Sequence, residues 1–363
     1  MKIIITNSQY YHQKYGGVSR YSSCLTDELT KKNVNIEVIA PIYKNRYLKE
    51  ISNRNNIRGI YLNSYPNFNF IQNINNKLTE IYQMRNTSSI LHDLYYPEHL
   101  INYNRFKILT IHDTIHEIYN NLYKKDYYFF RKKIIEKYQS FICVSEKTKE
   151  DFVNFYNVDD SKVHVIHHGF EHLINTKIEN ISNSNILNKP FILYVGGRYK
   201  YKNFNLLAEA YSKNKIIHEN FNIICYGGEK ISKQEINYFY KLGIENKIIN
   251  LRGNDNLLKG LYLKSKLFVS TSEYEGFGLT ILEAIFLKCK ILCNDINVFR
   301  RLYKNSINYF NFNDINHLIF QLENLLINKI DSTSDNIKET IIKKYTWKNC
   351  ASNTEKLYKL FVK

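Results

Sequence analysis

The chain has 363 residues, 44% hydrophobic and 15% aromatic, a composition that excludes a disordered polypeptide and suits two domains that each bury a core. Its formal net charge is +17, spread as 23 basic against 16 acidic residues over positions 1–170 and 28 against 18 beyond. That spread excludes a basic tail; it suits a polyanionic partner (nucleic acid, an anionic membrane, phosphorylated substrates) or a compositional drift toward lysine.

The opening MKIIITNSQYY reads as a strand at 2–6, its apolar run too short for a signal peptide. Further strands are predicted at 34–40, 89–92, 106–111, 140–144 and 163–166, with helices at 17–32 and 127–138 between them. The strands are continuously apolar, as befits burial on both faces of a parallel sheet. A polar, Asn-rich stretch at 175–190 ends in Pro190 and reads as a linker. The alternation then restarts, with strands at 191–195, 222–226, 248–251, 267–270 and 290–293 and helices at 203–212, 233–242, 255–264 and 279–287. A last helix is expected at 347–360. These elements predict an α/β protein of two doubly wound, Rossmann-like domains facing a central cleft, with loops at the strands' carboxyl ends offered to one ligand. The first domain takes 1–174, the linker 175–190 and the second domain 191–345; the helix at 346–363 returns toward the first domain.

Six cysteines (Cys24, Cys143, Cys225, Cys289, Cys293, Cys350) lack paired spacing, and Cys289 and Cys293 have no partners to complete a zinc site. A reducing cytoplasm fits, and no apolar run is long enough to span a membrane.

Four motifs carry chemistry. In STSEYEGFGLTILEA (270–284) a strand ends, a glycine loop follows and a helix begins. Gly276 and Gly278 admit a ligand close to the backbone, and the amides of Phe277, Gly278, Leu279 and Thr280 would face an anion at the positive end of the helix. Glu275 in the loop and Glu283 in the helix can face one cleft at different depths. In YVGGRYKYKNF (194–204), Gly196 and Gly197 open a strand end, and Arg198 and Lys202 then supply a planar fork and a point charge to a diphosphate. In KYGGVSRY (14–21), Gly16 and Gly17 place backbone amides at the first strand-to-helix turn. In LTIHDTIHE (109–117), His112 ends a buried strand. The plainer readings are a capped helix with solvated glutamates, a basic solvated loop and a structural histidine; the second glutamate eight residues on weighs against the first, and the paired glycines after a strand against the second.

With its two glutamates separated by seven residues, EGFGLTILEA resembles the hallmark of the family 4 retaining glycosyltransferases of the GT-B fold. HDLYYP, TIHDTIHEIY, ICVSEKTKEDF and YKNF are similar to bacterial members that build lipopolysaccharide and capsule, mannosyltransferases among them. The resemblance implies that Glu275 contacts the donor sugar, Glu283 the ribose, Arg198 and Lys202 the leaving diphosphate, and His112 the sugar. It places His92, Tyr95 and Tyr96 in acceptor or interdomain contacts, and it implies front-face attack with retention and no metal. The donor would be a GDP- or UDP-linked sugar, with GDP-mannose first and no other cofactor. The acceptor would be a glycan or lipid-linked glycan, met at the cytoplasmic face of an anionic membrane and without nucleic acid. Two departures stand out: Lys288 where the family ends this helix with glycine, and Arg301 where it often carries glutamate. A left-handed Lys288 would cost about 1 kcal/mol relative to glycine. Competing readings are a nucleic-acid-binding protein, a nucleotide-sugar epimerase or phosphorylase of the same fold, and an inactive glycan-binding relative.

Overall fold

A computed structural model describes residues 2–65, 67–86, 89–98, 105–120, 126–178, 189–198 and 200–361. By contacts the chain divides into two units, 1–169 with 345–363, and 170–344. The dividing point lies ahead of the expected linker, and 179–188 of that linker fall outside the described residues.

The first unit runs β1 (Ile3–Thr6), α1 (Gln9–His12), α2 (Gly17–Lys31), β2 (Ile36–Tyr43), α3 (Arg46–Lys49), β3 (Ile57–Tyr61), α4 (Phe68–Arg85), β4 (Ile90–Asp93) and β5 (Lys107–Ile111). It continues through α5 (Ile115–Ile118), α6 (Asp126–Ile135), β6 (Ser140–Cys143), α7 (Glu146–Tyr156) and β7 (Val163–Val165). All its strand pairs are parallel, in the order β3-β2-β1-β4-β5-β6-β7. The order reverses between β1 and β4, so the loop after β1 and the ends of β4 and β5 share one rim.

The second unit holds β8 (Phe191–Val195), α8 (Phe204–Lys213), α9 (Lys215–Asn220), β9 (Asn222–Tyr226), α10 (Lys233–Lys241), β10 (Ile248–Leu251), α11 (Asp255–Lys264) and β11 (Leu267–Ser270). It then adds α12 (Leu279–Phe286), β12 (Ile291–Asn294), α13 (Asn297–Tyr303), β13 (Asn308–Phe310), α14 (Ile315–Leu326) and α15 (Asp335–Lys344). The last helix, α16 (Trp347–Leu360), belongs to the first unit. The second sheet, also parallel, runs β10-β9-β8-β11-β12-β13 and reverses between β8 and β11. Its core joins Leu207 and Tyr211 of α8, Phe239 of α10 and Leu322 of α14 to strand residues such as Ile223, Val269 and Leu292.

The central strands and the helices around both loop motifs lie within a few residues of their predicted bounds. Edge strands β3 and β13, helices α4, α7, α13, α14 and α15, and the short helices α1, α3, α5 and α9 are not in the predicted set. β3 leaves Arg58, Gly59 and Ile60 exposed and so lacks a continuous apolar run. Its partner β2 carries Pro41, and the register shifts between Ile39 and Ile42. Gly59 is required at that irregularity, because a Cβ there would lie 1.6 Å from the Ala40 carbonyl oxygen.

Candidate functional site

In the second unit the loops after β8 and β11 lie side by side at the strand reversal. Thr271 Oγ1 donates to the Lys202 carbonyl (2.9 Å), and the Glu273 amide donates to the Tyr201 carbonyl (2.7 Å). The buried Tyr194 hydroxyl bridges the carbonyls of Gly197 (2.9 Å) and Lys202 (3.2 Å) from below. Lys200 and Asn203 take left-handed backbone angles, which fold the short turn between them tightly enough to aim Lys202 across the gap. Lys202 Nζ then meets Glu275 Oε1 at 2.5 Å, both side chains keeping partial access to solvent.

Arg198 is buried and held from behind. Its Nε donates to Glu235 Oε1 (2.8 Å) and its Nη2 to the Glu229 carbonyl (2.7 Å). Nη1 is buried with no acceptor among the described residues. Two of the five N–H donors of the anticipated fork are therefore engaged by protein, and Nη1 keeps both of its hydrogens unaccepted. Glu235 is itself held by the Ser232 capping box of α10, and its carboxyl is drawn below the usual range by Arg198 and Ser232 despite partial burial.

Gly278 caps α12 in the left-handed region (φ 83°), and a Cβ there would lie 2.6 Å from Phe299 Cε1. The Tyr303 hydroxyl fixes this turn from below by donating to the carbonyls of Phe277 and Gly278, each at 3.0 Å. The first turn of α12, Leu279 and Thr280, thus begins with amides that have no acceptor inside the helix. Glu283 is buried, with His172 Nε2 donating to Oε1 (2.9 Å) and the Tyr262 hydroxyl to Oε2 (3.0 Å). Each carboxylate oxygen keeps a second lone pair for a further donor. Lys288 has φ 55°, and the Cys289 and Lys288 amides close a Schellman cap on the Ala284 and Ile285 carbonyls. Arg301 lies exposed on α13.

In the first unit Gly16 caps α2 with extended backbone, and nothing lies within 4 Å of a Cβ built on Gly17. From α2, Tyr21 packs edge-on against His112 (4.9 Å), which follows β5. His112 is buried, its Nε2–H donates to the Leu94 carbonyl (2.9 Å), and burial pushes its pKa down to about 4. The ring is neutral at physiological pH and presents Nδ1 as an acceptor. His168 and Trp347 complete this aromatic group around Tyr21. His92, expected in acceptor or interdomain contacts, is instead sealed inside this unit between Tyr358 (2.6 Å) and Thr110 (2.9 Å). The returning α16, expected from the sequence, covers it, but its closure over His92 was not expected. Tyr96 is likewise internal, its ring under the Arg131 guanidinium at 4.1 Å.

Comparison with known proteins agrees with both halves of this architecture. The profile described as "Glycosyltransferase Family 4" matches residues 15–172, and "Glycosyl transferases group 1" matches 176–344. The chain belongs to the family 4 glycosyltransferases of the GT-B fold. It is 25% identical over 233 residues to the O-antigen chain mannosyltransferase RfbU of Salmonella typhimurium, a match covering 60% of each chain. It is 26% identical over 233 residues to an Escherichia coli UDP-Gal:alpha-D-GlcNAc-diphosphoundecaprenol alpha-1,3-galactosyltransferase, covering 61% of this chain and 59% of that one. These matches span about three fifths of the length of the curated relatives. The sucrose-phosphate synthase structure from Thermosynechococcus elongatus superposes with a TM-score of 0.77 over 99% of both chains at 15% identity, a likeness of fold.

Of the anticipated residues of this family 4 chain, Gly16, Gly17 and His112 lie in the first unit, and Gly197, Arg198, Lys202, Glu275, Phe277, Gly278, Leu279, Thr280 and Glu283 in the second. The structure brings Lys202 directly onto Glu275. His172, Tyr262, Glu229 and Glu235, which hold Glu283 and Arg198, were not anticipated. Only Glu235 had a readable local signal, since Ser232 stands three residues before it ahead of an apolar helix face.

Proposed function

We propose that the chain transfers a hexose, with retention and without a divalent metal, from a nucleoside diphosphate sugar to a hydroxyl of a glycan or lipid-linked glycan. The observation that carries this reading is the Lys202–Glu275 pair across the β8–β11 reversal, together with a buried Arg198 whose Nη1 is uncommitted. A buried donor without an acceptor costs about 1–3 kcal/mol, and a phosphate oxygen would remove that cost. In this reading Lys202, Arg198 Nη1 and the α12 amides take up the charge that develops on the departing diphosphate. Glu275 accepts hydroxyls of the sugar, and Glu283 accepts a ribose hydroxyl while His172 and Tyr262 hold it. His112 Nδ1 accepts a sugar hydroxyl. The bond from the anomeric carbon to the phosphate oxygen breaks as the acceptor oxygen bonds to the same face, and the acceptor's proton passes to that phosphate.

GDP-mannose is the first donor proposed, in keeping with the mannosyltransferase relative; UDP-sugars are the second, in keeping with the galactosyltransferase whose name carries UDP-Gal. That second name also carries a diphosphoundecaprenol, which favours a lipid-linked acceptor met at a membrane; the cytoplasmic face is the one proposed. No described helix is long and apolar enough to cross one.

Thermal melts with GDP, UDP, ADP and their sugar conjugates, without added metal, test the site. Ligand at 100 times its Kd adds about 2.7 kcal/mol, so one nucleotide should raise the midpoint. Lys202→Ala should abolish that shift and cut transfer by roughly a hundredfold or more. If no nucleotide raises the midpoint, the transferase reading fails.

A further inference from the structure

Helix α4 turns an apolar face to water. Its inner side is held on the sheet by Asn75, whose side chain bonds both the amide (2.7 Å) and the carbonyl (2.9 Å) of Ile42, and by buried Ile71 and Gln83. Tyr82 packs against Ile4, Ile39 and Leu91. The opposite side leaves Phe70 62%, Leu78 45%, Ile81 37% and Met84 53% exposed. With Ile74 these residues recur every three or four positions, so they form one stripe along the helix. Exposed Lys77 and Arg85 stand within that stripe and exposed Glu80 at its border. A surface helix ordinarily places such residues against its own core; this one shows more large apolar side chains to solvent than it buries.

The dimensions argue for one occupant. An 18-residue helix is about 27 Å long, and a stripe about 10 Å wide along it offers roughly 300 Å². A stable pairing of two copies needs about 800 Å² from each. A bilayer needs only a helix whose apolar side sinks about 5–10 Å while cations meet lipid phosphates, and the chain's charge of +17 complements an anionic surface.

We propose that α4 docks the protein on an anionic bilayer, with Phe70, Ile81 and Met84 entering the headgroup region and Lys77 and Arg85 contacting lipid phosphates. This inference rests on the proposed lipid-linked acceptor, and it names the surface that meets the lipid.

Flotation of the full chain with vesicles of phosphatidylcholine alone, or mixed with phosphatidylglycerol, tests it. The protein should float with the mixed vesicles, less so as salt rises. The triple variant F70Q/I81Q/M84Q should bind them roughly tenfold more weakly while keeping its melting midpoint and its nucleotide-induced shift. Wild-type protein that ignores both vesicles would overturn the membrane reading as a whole. Wild-type flotation unchanged by the triple substitution would overturn α4 alone and leave that reading standing. A dimer in light scattering that the substitutions dissociate would overturn it in favour of a second copy.

Discussion

Three buried imidazoles, His92, His112 and His168, make the first unit sensitive to acid. Burial, the largest cause for each, pushes His92 down to about 3 and His112 down to about 4, from an ordinary 6.5. Below pH 6.5 the unfolded chain binds protons that the folded chain does not, so this stability is present above 6.5 and is lost as pH falls through 4. At pH 5 the loss is about 2 kcal/mol for each ring. Buried Asp93 and half-buried Asp113, whose carboxyls desolvation pushes up, act in the opposite sense. The informative quantity is therefore a difference between variants: His92→Gln should lose about 2 kcal/mol less than wild type between pH 7 and pH 5 in urea titrations. Equal losses would mean that His92 titrates normally in the fold. In the loop after β8, Arg198 is not a free fork, since two of its five N–H donors are spent on Glu235 and Glu229.

At the scale of elements, two parts of the candidate site are set by left-handed backbone. Lys202 depends on left-handed Lys200 and Asn203, and α12 depends on left-handed Gly278. The far end of α12 closes through Lys288 at φ 55°, where a side chain costs about 1 kcal/mol that glycine would not. Lys288→Gly should raise the melting midpoint of the second unit by about 2–4 °C in calorimetry. An unchanged or lower midpoint would mean that the lysine makes a compensating interaction. Because the Schellman hydrogen bonds are already complete with lysine, the same substitution should leave nucleotide affinity unaltered.

At the scale of the molecule, the chain leaves the first unit at 169, builds the second and returns at 345. The return is structural for the first unit: Trp347 is buried 6.1 Å from the Tyr21 ring, and Tyr358 seals His92. Trp347→Ala should destabilise the first unit by about 3–5 kcal/mol, read as a lowered denaturant midpoint. The nucleotide-induced stabilisation attributed to the second unit should survive it. Loss of both together would show that the units do not unfold independently.

The sequence by itself determined the α/β class, the central parallel strands and the two glycine-bearing loops after β8 and β11. Each of these is a local property: continuous apolar runs mark strands buried on both faces, and glycines before a helix mark an anion-ready turn. It also located Lys202 and Glu275, although their contact joins residues 73 apart. Tertiary structure alone decided the rest. Arg198 reaches Glu235 across 37 residues, His172 reaches Glu283 across 111, and Tyr358 reaches His92 across 266. Edge strands β3 and β13 form because a neighbour pairs with them, and α4 carries its unusual outer face because Asn75 and Tyr82 anchor the inner one. Such pairings are set by how layers stack, and they leave no periodicity in the local sequence.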